Sequence, residues 1–272
     1  MEHPRTTATD LPKWSTLLIE AVTKPGLIMK AYSAFHTFSV GNQILALVQC
    51  QLRGLQPGPL NTFPKWKDLG RFVKRGERAL TLCMPITCKR RDEESDEDHI
   101  FTSFVYKARW FVLSQTDGQE MEPITIPEWD AERAMKALSI ERVPFDHTDG
   151  NIQGFARKRR IAINPLAQLP YKTLFHELGH VVLGHTTEAD FSDDETTPRS
   201  LGEVEAESVA LLCCESLGLA GAEYCRGYIQ NWLSRGSGST AEAIPEKSAQ
   251  KIFRAADQII RAGRPQLDPV TA

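Results

Sequence analysis

The chain reads as α+β, and three observations predict it. Residues 78–87 and 99–116 are rich in β-branched and aromatic residues, as paired antiparallel strands are. Apolar residues recur at helical spacing on both sides of that stretch. Proline-rich passages, "GLQPGPLNTFPKW" and the region near residues 117–128, separate the parts. The anterior part is therefore expected to mix helices with antiparallel strands. The posterior part should be mostly helical with a small β-hairpin.

The elements follow in order. Residues 12–24 and 39–53 carry helical periodicity, with Gly54 as the stop of the second. The next passage holds three prolines and two glycines between Gly54 and Trp66, which excludes a continuous helix or a central strand. "RALTLCMPIT" and "HIFTSFVYKARWFVLSQT" form an antiparallel pair, and "CKRRDEESDEDH" between them is a charged hairpin loop. The prolines of "EMEPITIPEWD" mark a linker. Beyond it, residues 128–140 are helical and "NIQGFARKRRIAINP" is a hairpin. Helices follow at 165–185, 200–218, 222–234 and, after the flexible "SRGSGST", at 244–262.

At 272 residues and 41% hydrophobic content the chain can build one large domain or two modest ones. No signal core opens it and no run is apolar enough for a membrane helix, so a cytoplasmic protein with no membrane partner is expected. Six cysteines without a CxxC pair fit reduced thiols. A net charge of −3 excludes a general polyanion binder. Charge is nonetheless uneven. From Arg53 to Arg91 ten basic residues face two acidic ones, a local net of +8, whereas residues 186–207 hold eight acidic residues and one arginine.

"YKTLFHELGHVVLGH" carries the chemistry. His176 and His180 lie one helical turn apart on one face, so both imidazoles can reach one cation, and Glu177 beside them is placed to take a proton from activated water. A third protein ligand is needed. His185 has the wrong spacing for HExxHxxGxxH, because it lies five residues after His180 and Gly184 lies four after it. "SLGEVEAESVALLCC" offers Glu203, Glu205 and Glu207 instead. Glu203 and Glu207 share a face. Glu203 is the preferred ligand and Glu207 the carboxylate that orients a ligating histidine, with Glu205 facing solvent. The bland alternative is a pair of hydrogen-bonded core histidines and a solvated glutamate face. Against it, a buried glutamate without a cation costs several kcal/mol.

"RIAINP", "HELGHVVLGH" and "GEVEAESVA" resemble the ImmA/IrrE-type metallopeptidases, gluzincin-like enzymes whose helix after HExxH carries ExxAN or ExxAD; Glu203, Ala206 and Glu207 match it, with glutamate at the last position. "FSVGNQILAL" with Asn42, "TFPKWKDLGRFVKRGE" and "FVLSQT" are similar to the N-terminal single-stranded-DNA-binding domain of the ArdC antirestriction family, although Phe38 stands where many members open with tyrosine. Together the matches span about residues 10–220. The resemblance implies a DNA-binding domain at 1–125, a gluzincin-like metallopeptidase domain at 126–235 and a helical tail at 236–272.

The anterior residues support the same idea on their own. Phe63, Trp66 and Phe72 interleave with Lys65, Lys67, Arg71, Lys74 and Arg75: cations for phosphates and ring faces for unstacked bases. The competing reading makes Trp66 and Phe72 core. The expectation is an antirestriction protein that binds single-stranded DNA through Asn42, Lys65, Trp66, Lys67, Arg71, Lys74 and Arg75. It would hydrolyse a peptide bond in a partner protein with one zinc ion, or manganese in its place. The main rival is a non-catalytic DNA-binding protein whose metal only stabilises the fold. A two-metal nuclease ranks below both.

Overall fold

The computed structural model describes residues 12–91, 98–122, 125–147, 151–186, 199–235 and 244–265. It is α+β with antiparallel sheets, as expected. The packing divides the chain into two compact units.

The first unit comprises residues 45–122. It is built on a long hairpin, β3 (Leu80–Arg91) with β4 (Asp98–Val112), and β1 (Leu60–Thr62) pairs with the other edge of β4. The strands run further toward the turn than expected, and residues 92–97 of the charged loop lie outside the described residues. α4 (Phe63–Asp68) follows β1, with Pro64 in its first turn where a missing N–H costs nothing. This short helix was not foreseen, because the prolines around it obscure its period. β2 (Arg71–Val73) pairs with β5 (Thr116–Gly118), so the expected linker begins as a strand. Trp66 fills the centre at 0% exposure with Leu60, Leu80, Leu82 and Val112, and its indole N–H donates to the carbonyl of Phe111 at 2.8 Å. An indole is buried cheaply only when that N–H finds such an acceptor.

The second unit joins Pro12–Ile44 to the residues from Thr125 onward. Its central helix is α7 (Arg199–Ser216), whose residues from Val204 to Ser216 are all buried. Around it pack α2 (Leu27–Phe35), α6 (Pro170–Leu183), α8 (Ala222–Arg235) and α9 (Glu246–Ala262), and α1 (Trp14–Thr23) lies on α8 and α9. α5 (Ala131–Ala137) packs on α9, and Asp130 caps α5 by accepting the backbone N–H of Arg133 at 2.6 Å. The expected hairpin is β7 (Gly154–Arg157) with β8 (Arg160–Ile163), and β6 (Glu141–Arg142) adds a parallel edge to β8. α3 (Val40–Leu52) runs from this unit into the first.

Packing groups residues 12–44 with the helices after residue 125: Leu17, Leu18, Ala21, Val22, Ile28, Ala31 and Phe35 belong to the helical core. The C-terminal helix shares that core. Ile252, Phe253, Ala256, Ile259 and Ile260 form a stripe at helical spacing and are buried, while Trp14 meets Phe253 edge to face at 5.7 Å. Glu246, at the start of α9, accepts the backbone N–H groups of Trp14 and Ser15, each at 2.9 Å, and so caps α1 from outside.

Candidate functional site

α6 and α7 meet where one of them has almost no side chain. A Cβ on Gly179 would come within 3.3 Å of the Ala206 backbone and of Val209. Glycine at this place lets the helix axes approach, and His176 and His180 thereby come opposite Glu203. The Nε2 atoms of the two histidines lie 3.1 Å apart, and Glu203 Oε2 lies 3.5 Å from that of His176 and 3.7 Å from that of His180. Three atoms that carry lone pairs face one another. Tetrahedral ligands at 2.0–2.2 Å from a cation stand about 3.3–3.6 Å from each other, so the donor set and its spacing fit one divalent ion. Among the described residues it is the one such cluster of His, Cys, Asp and Glu.

Glu177 is buried beside the pair. Burial pushes its carboxyl above the ordinary range, and the nearby His176 and His180 oppose that shift. Glu203 shows the reverse: the neighbouring imidazoles of His176 and then His180 hold its carboxyl far below the usual range.

Glu207 sits behind His176. Its Oε1 is 3.5 Å from His176 Nδ1, an ion-pair separation at which that nitrogen makes no hydrogen bond. The same oxygen accepts from Lys172 Nζ at 2.5 Å, and burial together with the nearby Glu207 carboxylate pushes the Cys225 thiol far up. Burial alone would lower the Lys172 ammonium, but the Glu207 charge and hydrogen bond outweigh it and raise it. Lys172 escaped the sequence reading. Its position four residues before His176, on the same face, was the available signal.

Glu205 does not face solvent. It is 3% exposed, and its Oε2 lies 2.9 Å from His185 Nε2. Burial would raise its carboxyl, yet hydrogen bonds from His185 and Ser248 together with nearby positive charge hold it below the ordinary range. His185 reaches it because Gly184 ends α6 with φ +83°, a left-handed conformation that costs glycine nothing, and the chain folds back so that His185 N donates to His180 O at 2.9 Å. The side-chain Nδ1 atoms of His185 and His180 are then 3.0 Å apart. Tyr171 takes no part here. It packs on Trp129 and Phe175 and lines a separate cleft of about 420 Å³ with Tyr32 and Leu219.

In the first unit the residues expected to meet DNA separate into two sets. Trp66 is core, with its ring faces covered, and Arg71 is 9% exposed, bonding Thr116 Oγ1 at 2.8 Å, the Thr116 carbonyl at 2.9 Å and the Gln119 carbonyl. Both are corrections: neither can stack on a base or meet a phosphate from these positions. Lys65, Lys67, Lys74 and Arg75 are exposed, although Lys74 also donates to the Ser114 carbonyl at 3.1 Å. The exposed aromatics are Phe63 at 55% and Phe72 at 64%, on α4 and β2 among those cations. Asn42 is half-buried in the first turn of α3, in the second unit. No helix among the described residues is long and apolar enough to cross a membrane.

These features define an α+β chain with a strand-built unit that shows basic and aromatic residues, and a helical unit that brings two histidines and a glutamate together. Residues 13–126 match the family model of the N-terminal domain of anti-restriction factor ArdC. Three solved chains match the structure. The metal-free crystal structure of antirestriction ArdC protein from the R388 plasmid is 19% identical, the match covering 92% of this chain and 94% of that one at a TM-score of 0.53. The Mn(II)-bound structure of the same protein is 19% identical over 93% and 99% of the two chains, with a TM-score of 0.51. The chain thus has an ArdC-like fold. No match was found among curated proteins.

Proposed function

We propose that the chain is an ArdC-like antirestriction protein of the cytoplasm that binds single-stranded DNA and hydrolyses a peptide bond in a partner protein at a single divalent cation. The observation that carries the reading is the convergence of His176, His180 and Glu203 beside the buried Glu177. The Mn(II)-bound ArdC structure supports a divalent ion in this fold. Zinc is proposed for this chain because two imidazoles and one carboxylate are a common donor set for it, with manganese as the alternative.

A cation held by His176, His180 and Glu203 supplies Lewis-acid polarisation and makes water acidic. The chain's own residues do the rest. Glu177 takes the proton of the attacking water and returns it to the amine as the peptide C–N bond breaks, leaving a carboxylate and a free amine. Glu207, tied down by Lys172, stands behind His176 at 3.5 Å, where it would orient the ring by accepting its Nδ1 proton once a cation draws Nε2 forward. Lys65, Lys67, Lys74 and Arg75 would follow phosphates, while Phe63 and Phe72 present ring faces to unstacked bases.

The exposed phenylalanines among cations favour DNA binding whether or not hydrolysis occurs, so the alternative is a non-catalytic single-strand binder with a structural metal. Glu177→Gln separates the two. Loss of antirestriction with metal and DNA binding intact supports the hydrolase, and full protection by the variant supports the binder.

A further inference from the structure

We infer that His185 and Glu205 are positioning residues that fix the ring of His180 from behind, so that the candidate cation site is supported on both flanks by different chemistry. This rests on the proposed cation site. His176 has Glu207 behind it at 3.5 Å, whereas His180 has a second imidazole at 3.0 Å, backed in turn by a carboxylate at 2.9 Å.

The order of protons follows from the donors. For His180 to keep a lone pair on Nε2, its proton must sit on Nδ1, where it is donated to His185 Nδ1. The His185 proton is then on Nε2 and goes to Glu205 Oε2. Every polar atom in this row is used once. The row also explains two features that the metal cluster alone leaves unexplained: a glutamate at 3% exposure pointing away from the cluster, and a histidine that no ligand pattern accommodates. At its far end Ser248 of α9 joins His185 in holding the Glu205 carboxyl below its ordinary range, against its burial.

The test uses the full chain and Mn²⁺ titration. His185→Phe keeps the ring volume but removes both hydrogen bonds, and about 10- to 100-fold weaker Mn²⁺ binding is expected. His185→Gln can accept from His180 and donate to Glu205, so it should stay within a few-fold of the parent. In the His180→Ala background, His185→Phe should add little further loss. A merely structural role predicts the opposite: additive losses and no rescue by glutamine, and that result overturns the proposal. If the parent chain takes up neither Mn²⁺ nor Zn²⁺, the cation reading fails by itself. The nitrogen-15 spectrum of His185 still decides the row then, an Nε2–H tautomer being required and an Nδ1–H tautomer refuting it.

Discussion

Glu215 and Arg226 form an ion pair inside the helical unit, with the carboxylate also accepting the Ile28 N–H at 3.1 Å and the guanidinium donating to the carbonyls of Ala21 at 2.8 Å and Val22 at 2.5 Å. One buried pair therefore satisfies free backbone groups of α1 and α2 while joining α7 to α8. Arg226→Met leaves Glu215 charged and unpaired, and a loss of about 3–5 kcal/mol is expected. Urea unfolding should show it as a lower midpoint at unchanged slope.

Glu177→Gln keeps the shape of the site and removes the proton acceptor. Peptide hydrolysis should fall by about 10²- to 10⁴-fold, while the Mn²⁺ dissociation constant changes by no more than a few-fold. Isothermal titration and a peptide-cleavage assay on one preparation check both halves.

Glu203→Ala withdraws the one carboxylate of the proposed ligand set. Binding of Mn²⁺ or Zn²⁺ should weaken by more than about 100-fold, beyond the range of changes in supporting groups. Unchanged affinity in elemental analysis after dialysis would count against the assigned donor set.

Acid should loosen the attachment of α1. The carboxyl of Glu246 is held below its ordinary range: burial opposes this, but hydrogen bonds from Ser15 and Trp14 prevail. A carboxyl lowered by folding stabilises the protein above the ordinary carboxylate range, and that contribution is lost as pH falls through the lowered value. The stability advantage of the parent over Glu246→Gln should thus be full at neutral pH and shrink in acid, as read from urea midpoints across pH.

For DNA, the exposed and the buried members of the expected patch should behave differently. Lys65→Ala and Arg75→Ala should each lower the salt-dependence slope of single-strand binding by about 0.7. Phe72→Ala should cost about 1–3 kcal/mol of binding with the fold intact. Trp66→Ala should instead cost about 3–5 kcal/mol of stability. Fluorescence anisotropy at several salt concentrations, beside thermal melts, separates the cases.

The convergence of His176, His180 and Glu203 was legible because one helical turn relates His176 to His180 and another relates Glu203 to Glu207, and both segments are helices. His185 was not, since its position is set by the left-handed turn at Gly184 rather than by helical spacing. Trp66 and Arg71 were misread for a different reason. A mixture of rings and cations along the chain does not say which face each takes; pairing of β2 with β5 turns Arg71 inward and leaves Phe72 outside. The strand pair and most helices followed from local pattern. That residues 12–44 join a core made largely of residues beyond 125 depends on contacts far apart in sequence, which no local pattern carries.

That long-range arrangement bears on how the protein can be cut for experiment. A gene fragment ending near residue 125 would retain α1 and α2 but strip them of α7, α8 and α9, leaving Leu17, Leu18, Ile28 and Phe35 open to water and prone to clumping. The piece suited to separate expression begins close to Leu45, in the middle of a helix. A helical piece made to study the histidine cluster would have to carry the opening residues of the chain stitched onto its later ones.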